Sequence, residues 1–516
     1  MANASGVAAD GFLPARFTHE VSGVSYRVEE SGGRVWLDFE RHDPDRELKG
    51  RRELRYFLGS GTRGRTYLFE DQGYWFEIPI NWYAKKRIWD MAPNYLQARE
   101  MPLALPVDPG CLRCHASGAQ ASSPEARNKY AGVPFTEGGI TCTACHGDAA
   151  EHVKSGGNVA LLKLGQLEPV KRDSVCLSCH LEGQEAVVHE GKRWVDFRPG
   201  ESIFEYASFF VRSSVGATSR RATSQWEALL QSGCRRGAGE RLTCVSCHDP
   251  HGTTAHMRPE EQVSWYRAKC LACHDPGAAS EKGGTGFAAT HHAENRDCVS
   301  CHMPRASADD IAHEQVTDHR IPRVPMGKVA HRAEGTGPDV LAQIGDRSGA
   351  SPKPNARDLG MAYAQAAAKG DAAAAARART LLVEAEAQPG AAKDFELHAQ
   401  LGFLEQVGGD IDSAAREYGM ALAVNPHDAF AAGNLALTKA GRKQYGVSAE
   451  LLQQAFQDDP VQLQAGRNLA LVECGLGRKE AALGTLDRLL EFSPDDGQAR
   501  DLARAIRAGR HECGAH

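Results

Sequence analysis

The pentapeptide Cys-x-x-Cys-His occurs six times in this chain of 516 residues. The chain's 15 cysteines and 21 histidines, placed at random, would give only about 0.02 copies. Each copy sets two thiols close together and follows them at once with a metal ligand, which is the attachment signature of a covalent c-type haem. The sequence therefore predicts six haem c groups, and the fold between residues 111 and 302 must form around them.

Each motif is predicted to supply two thioether-forming cysteines and one proximal iron ligand. Zinc sites use pairs of Cys-x-x-Cys and need no histidine at the next position, so the repeated histidine argues against zinc. The attachment cysteines are Cys111, Cys114, Cys142, Cys145, Cys176, Cys179, Cys244, Cys247, Cys270, Cys273, Cys298 and Cys301. The proximal histidines are His115, His146, His180, His248, His274 and His302.

Histidines outside the motifs are candidates for the second axial position of each iron. His251 follows the fourth motif in the run Cys-His-Asp-Pro-His, and so short a span cannot cross the porphyrin attached to His248. We therefore expect His251 to reach a neighbouring haem. The full set of candidate distal ligands is His19, His152, His251, His292, His313 and His319.

Residue patterns predict a mixed fold. Val24, Tyr26 and Val28 alternate with polar residues, as do Val35, Leu37 and Phe39, so the first part of the chain predicts a small antiparallel β region. The motif region has roughly 32 residues per motif, which predicts a mostly irregular and α-helical module packed on haem faces. The predicted domains are residues 1–100 (the β-rich segment of the cytochrome module), 101–335 (the hexahaem domain), 336–356 (a linker) and 357–510 (a helical repeat domain).

The last segment repeats with a period of 34 residues. Pro426, Pro460 and Pro494 keep this spacing, as do Leu401, Leu435 and Leu469. A 34-residue period is typical of tetratricopeptide repeats, whose helix pairs bury their apolar faces only by stacking. We expect about four repeats in an all-α solenoid.

The net charge and the apolar runs limit the possible partners and membrane spans, and three further cysteines need an interpretation. A formal net charge of −6, with haem propionates added, argues against nucleic-acid partners. No apolar run approaches the roughly 20 residues that span a bilayer. Three cysteines lie outside the motifs: Cys474 is interpreted as a buried core thiol and Cys234 as a structural thiol, which leaves Cys513.

Several strings resemble bacterial multihaem c-type cytochromes with C-terminal tetratricopeptide repeats, whose haem modules are similar to the cytochrome c-552/4 and hydroxylamine-oxidoreductase-like superfamily. The strings are FTHEVSGVSYRV, GGITCTACHGDAAEHV, DSVCLSCHLEG, RATSQWEALLQSGC, RLTCVSCHDPHG, YRAKCLACH, DCVSCHMPR and DIAHEQVTDHRI. The resemblance implies that His251, His313, His319 and His19 are distal ligands.

Haem attachment to this motif takes place outside the bacterial cytoplasm, so we expect export to the periplasm or the cell surface. The opening MANASGVAADGF has no charged segment followed by an apolar one, so an export signal is expected to have been removed or to lie upstream of Met1. The resemblance also implies a further haem motif upstream.

Three functions remain open from the sequence. The first is electron transfer along closely packed, mostly bis-histidine haems, with the repeats docking redox partner proteins; in this case the chain is a carrier rather than an enzyme. The alternative is a multihaem oxidoreductase with one open haem, acting on a small nitrogen or sulfur oxyanion. In the third, the repeats are the functional part and the haem module is a redox sensor or anchor.

Overall fold

The computed structural model describes residues 5–8, 11–93, 95–214, 224–274, 297–305, 317–323, 339–345 and 354–514. Two of the predicted distal ligands, His292 and His313, lie outside these residues. In the described part of the chain the strands are β1 (Ser5–Val7), β2 (Ala15–His19), β3 (Val24–Ser31), β4 (Arg34–Arg41), β5 (Leu48–Leu58), β6 (Gly64–Asp71), β7 (Tyr74–Glu77), β8 (Ile80–Tyr83), β9 (Ile88–Met91), β10 (Leu105–Pro106), β11 (Ala116–Ala119), β12 (Phe135–Gly138), β13 (Glu185–Val188), β14 (Ala207–Ser214) and β15 (Asp339–Gln343).

Helices dominate the second half of the chain. Each of the six motifs, along the whole chain, also lies in a helix or at the end of one. They are α1 (Pro109–His115), α2 (Cys142–His146), α3 (Ala150–Lys154), α4 (Pro169–His180), α5 (Gln225–Leu230), α6 (Gly233–Ala238), α7 (Cys244–Cys247), α8 (Pro259–His274), α9 (Cys298–His302), α10 (Ala356–Ala368), α11 (Ala372–Glu386), α12 (Phe395–Val407), α13 (Ile411–Val424), α14 (Ala429–Gly441), α15 (Tyr445–Asp458), α16 (Leu463–Gly475), α17 (Lys479–Phe492) and α18 (Gly497–Arg507). The predicted mixed fold class is confirmed. Among the described residues no helix is both long and apolar enough to cross a membrane.

Contacts divide the chain into two compact units. The sheet–repeat unit comprises Ala2–Thr141 and Asn355–His516, and the motif unit comprises Cys142–Pro354. The first motif therefore lies in the sheet–repeat unit, and the other five lie in the motif unit. The sequence-based boundaries differ from this grouping, because they join the N-terminal strands to the motifs rather than to the repeats.

The N-terminal sheet is antiparallel throughout. Its main path runs β10-β7-β6-β5-β4-β3-β2. Off this path, β1 pairs with β5, β8 pairs with β6, and β9 pairs with β8. The predicted hairpin is β3–β4, and Gly32 and Gly33 form its turn at φ values of 62° and 73°. Both turn residues need positive φ, which glycine adopts without a steric penalty. Alternate residues of these strands, including Val24, Leu37 and Phe39, are buried in one apolar core.

The sheet packs against the end of the repeat array within the sheet–repeat unit. Phe492 at the end of α17 belongs to the sheet's core, with its ring centre 5.6 Å from that of Tyr74. Beside it, Asp495 accepts hydrogen bonds from the Arg41 guanidinium at 2.5 and 2.8 Å and from the Met101 backbone N–H at 2.7 Å. These contacts are the physical reason that the N-terminal strands group with the repeats.

Four antiparallel helix pairs, α10–α11 to α16–α17, and the final helix α18 form the C-terminal region. The periodic leucines Leu401, Leu435 and Leu469 are buried, as the stacking of such pairs requires. One cysteine interpretation is wrong: Cys474 is buried, but it forms a disulfide with Cys513 rather than remaining a thiol. The bond joins α16 to the chain end, and the sequence pattern indicated no contact between these segments.

The motif unit also departs from its predicted outline at one place. Strand β15 lies inside the predicted 336–356 linker and pairs with β14. Leu341 and Ile344 are buried there, so apolar burial orders part of a segment whose glycine and proline content predicted a linker.

Candidate haem sites

Every Cys-x-x-Cys-His motif forms a short helical turn or ends a longer helix. The motifs lie in α1, α2, α7 and α9 and at the ends of α4 and α8, with His248 directly after α7. Two cysteines three residues apart in a helix lie on the same face, so both thiols of a motif are directed to one side. None of the twelve motif cysteines forms a disulfide, and all are at least partly exposed. The arrangement leaves the thiols accessible for covalent attachment.

Side-chain caps fix several of these turns. Asp108 accepts a hydrogen bond from the Cys111 backbone N–H at the start of α1. Asp297 does the same for Val299 and Ser300 at the start of α9. Such caps satisfy backbone donors that a helix leaves unpaired at its first turn, so they stabilise even a five-residue helix.

Two of the proximal histidines are oriented by backbone carbonyls. His146 Nδ1 lies 2.9 Å from the Leu162 carbonyl oxygen, and His302 Nδ1 lies 2.8 Å from that of Pro322. A carbonyl only accepts, so Nδ1 carries the proton and donates in both rings. Nε2 then keeps its lone pair, which is the arrangement typical of metal-ligating histidines.

Two predicted distal ligands lie close to proximal histidines within the motif unit. The ring centres of His146 and His251 are 6.3 Å apart with an angle of 5° between the planes. The ring centres of His248 and His319 are 6.2 Å apart, at 32°. A ring nitrogen lies about 2 Å from a metal that it ligates and about 1 Å from its own ring centre, so two rings ligating one iron have centres about 6 Å apart. The residues present therefore fit a haem iron.

His319 also has the hydrogen bond expected of a ligand, because its Nδ1 donates to the Thr317 carbonyl at 2.8 Å. Burial lowers the pKa of His180, of His248 and of His319. The His319 ring lowers the pKa of the other two further by charge repulsion. All three rings are thus held in the neutral form, which is the form that ligates iron.

The remaining described candidates have different surroundings. His152 donates from Nδ1 to the Val159 carbonyl at 2.6 Å, which leaves Nε2 as an acceptor. His19 is buried in the sheet–repeat unit with both ring nitrogens bound, one to the Ser22 hydroxyl at 2.9 Å and the other to the Leu96 carbonyl at 3.0 Å. As placed, His19 must release one of these contacts before it can ligate a metal.

Sequence reasoning missed the carbonyls that orient the ligands, and no residue type marks a backbone oxygen as a partner. It also missed the Cys474–Cys513 disulfide. Here a signal existed, since cysteines left over in a chain expected to be exported are candidates for pairing.

Comparison with known proteins agrees with these observations. A family model described as Cytochrome c554 and c-prime matches residues 85–147 and 249–303. The two segments contain the first, second, fifth and sixth motifs and His251. No curated protein matches the chain.

The solved structures that resemble this chain each cover a minor part of it. One, described as the crystal structure of MamA, is 18% identical and covers 28% of this chain and 82% of its own, with a TM-score of 0.25. Another, the APC/C hetero-tetramer Cut9-Hcn1, is 21% identical and covers 29% of each chain, with a TM-score of 0.26. The family match and the motif geometry together support a c-type cytochrome.

Proposed function

We propose that this protein is a multihaem c-type cytochrome that transfers electrons along six covalently attached haems. When bound, haem c supplies one-electron redox chemistry, and electrons pass between closely spaced haems by tunnelling. The observation that carries the proposal is that two pairs of histidine rings have centres 6.3 and 6.2 Å apart, the separation expected of two rings on one iron. Two such pairs within one unit favour closed iron sites, in which no substrate reaches the metal.

The same distances support specific ligand assignments. We assign His251 to the iron whose proximal ligand is His146, and His319 to the iron whose proximal ligand is His248. The run from His248 to His251 then joins two sites directly, because one residue serves each. His180 contributes by charge repulsion to the lowered pKa of His248, which supports a third motif beside the fourth.

The other irons need further ligands. His152, His292 and His313 are proposed for the motif unit. His19 is proposed for the sheet–repeat unit, where it shares a compact unit with His115. In each case the protein's task is to hold a neutral ring with its Nε2 lone pair directed at the metal.

Export and partner docking belong to the same proposal. The disulfide between Cys474 and Cys513 supports an oxidising compartment such as the periplasm or the cell surface. The helix pairs of the repeat region provide a stacked surface of the kind that binds partner proteins. We propose that this surface docks a redox partner.

Two measurements on the full-length protein test the proposal. The intact mass after expression in a haem-exporting host should correspond to six attached haems. Electron paramagnetic resonance of the oxidised protein at low temperature should show low-spin iron without a high-spin signal. A strong high-spin signal in the pure protein would contradict the closed-site account and favour the oxidoreductase with one open haem.

A further inference from the structure

A second group of metal-ligating side chains lies in the helical repeats and includes no residue of a Cys-x-x-Cys-His motif. It consists of Glu386 at the end of α11, His398 in α12 and Glu417 in α13. One ligand atom from each residue lies within 4.8 Å of the other two. The side chains of His398 and Glu417 are completely buried, and that of Glu386 is partly buried.

Two of these residues interrupt the apolar core of the array. One repeat period of 34 residues further along, the position of His398 is occupied by Ala432 and the position of Glu417 by Leu451. A buried imidazole and a buried carboxylate are costly in such a core unless partners compensate both. The two departures occur together, in the same repeat, and face each other.

Hydrogen bonds offset the cost of burial more fully for the Glu417 carboxylate than for the His398 imidazole. Glu417 lies 2.8 Å from His398 Nδ1 through one oxygen, and accepts from Arg416 at 3.0 and 3.2 Å through the other. His398 Nε2 is buried and has no hydrogen-bond partner in the structure. Nδ1, which lies beside Glu417, is the ring nitrogen that an ion shared with Glu417 would bind, in place of the proton between them.

We propose that Glu386, His398 and Glu417 bind a divalent transition-metal ion of the zinc class. One imidazole nitrogen and two carboxylate oxygens are donors that zinc accepts, with a water molecule as fourth ligand. Ligands at about 2 Å from a tetrahedral metal are roughly 3.3 Å apart. His398 Nδ1 and Glu417 are already 2.8 Å apart, so any approach that the ion requires falls to Glu386. Glu386 is the partly exposed member on a long side chain, and it provides this adjustment and the opening for water.

The bound ion would tie three consecutive helices, α11, α12 and α13, together. It would stabilise the first two helix pairs, at the opposite end of the array from the Cys474–Cys513 bond. The role is structural rather than redox, because zinc has no accessible second oxidation state.

Zinc binding to the full-length, haem-loaded protein tests this site. The protein is stripped with a chelator, dialysed against zinc, and analysed for zinc per chain. Wild-type protein should hold one zinc more than the Glu386→Gln variant. The matched control is Glu384→Gln, which removes an exposed glutamate from the same helix and should bind like the wild type. Surface histidines and propionates contribute equally to all three proteins, so they cancel.

Two further readouts separate a built site from a change in folding. Zinc should raise the midpoint of thermal unfolding of wild type and Glu384→Gln at least twice as much as that of Glu386→Gln. Zinc-edge X-ray absorption should show nitrogen and oxygen ligands at about 2.0 Å. Equal zinc in wild type and Glu386→Gln, or sulfur ligands at the zinc, would overturn the proposal and leave His398 and Glu417 as a buried ion pair.

Discussion

Replacing Asp495 with alanine should destabilise the sheet–repeat unit more than any exposed ion pair can. The Asp495 side chain is completely buried, and its partner Arg41 is only 4% exposed. The carboxylate also accepts from the Met101 N–H and from Arg500 at 2.9 Å. Its removal leaves the Arg41 charge buried without a counter-ion, which costs about 3–5 kcal/mol in comparable cases.

Chemical denaturation followed by far-ultraviolet circular dichroism measures this loss. The matched control is Asp412→Ala, since the Asp412 side chain is 90% exposed and its pair with Arg442 should contribute only about 0–1 kcal/mol. The double variant Arg41→Met with Asp495→Leu removes both charges and fills the space, so it should recover the part of the loss that comes from the unpaired Arg41 charge. The Met101 N–H stays without its acceptor in both variants.

Hydrogen exchange locates the same effect. Asp495→Ala should speed exchange at residues 98–103 and 490–500, where the repeat end meets the sheet. If Asp495→Ala costs no more than Asp412→Ala, or if the double variant is as unstable as the single one, the buried pair does not hold the repeats to the sheet.

Three further changes have calculable effects. Desolvation raises the pKa of Glu77 to about 7 from its usual value of 4.5, so between these pH values the folded state retains a proton that the unfolded state loses. The free energy of unfolding should therefore fall by at most about 3 kcal/mol as pH rises from about 4.5 to 7. Glu77→Gln should flatten this slope in urea titrations, and an unchanged slope would refute the assignment. Cys513→Ser removes the disulfide that closes a loop with a sequence separation of 39. The loss of this constraint on the unfolded chain should lower the free energy of unfolding by about 4 kcal/mol, which would be seen as a lower guanidinium midpoint. A midpoint equal to that of wild type would argue against the bond. Leu486 is fully buried, so Leu486→Ala should lower the free energy of unfolding by about 2–5 kcal/mol in the same assay. Leu471 lies on the surface, so Leu471→Ala should change it by no more than about 0.5 kcal/mol. Equal losses of stability would place the core of the repeats elsewhere.

Local patterns predicted much of the fold. The β3–β4 hairpin follows from alternating apolar residues around Gly32 and Gly33, and the helix pairs follow from the 34-residue period. A capped helix was also predictable at Ser224, where the side chain of Glu227 accepts from the Ser224 backbone N–H. These elements depend on residues close together in sequence.

Long-range contacts were not predictable in the same way. Phe492 and Asp495 look in the sequence like the ordinary end of a repeat, and only the fold brings them to the sheet. The Cys474–Cys513 pairing had the same origin, since three unassigned cysteines allow several pairings. For the haem sites, the proximal residues follow from the motif alone, but the partner of each distal histidine depends on which helices the chain brings together.

The most direct test of the closed-site account is the spin state of iron after removal of a distal ligand. His251→Ala and His319→Ala, made in the full-length haem-loaded protein, should each convert one low-spin iron to high spin in the low-temperature electron paramagnetic resonance spectrum. His427→Ala, which removes a partly exposed histidine paired with Asp458 in the repeats, should leave the spectrum unchanged. Spectra of His251→Ala and His319→Ala that match the wild type would contradict both ligand assignments and the pairing of histidine rings on which the proposed function rests.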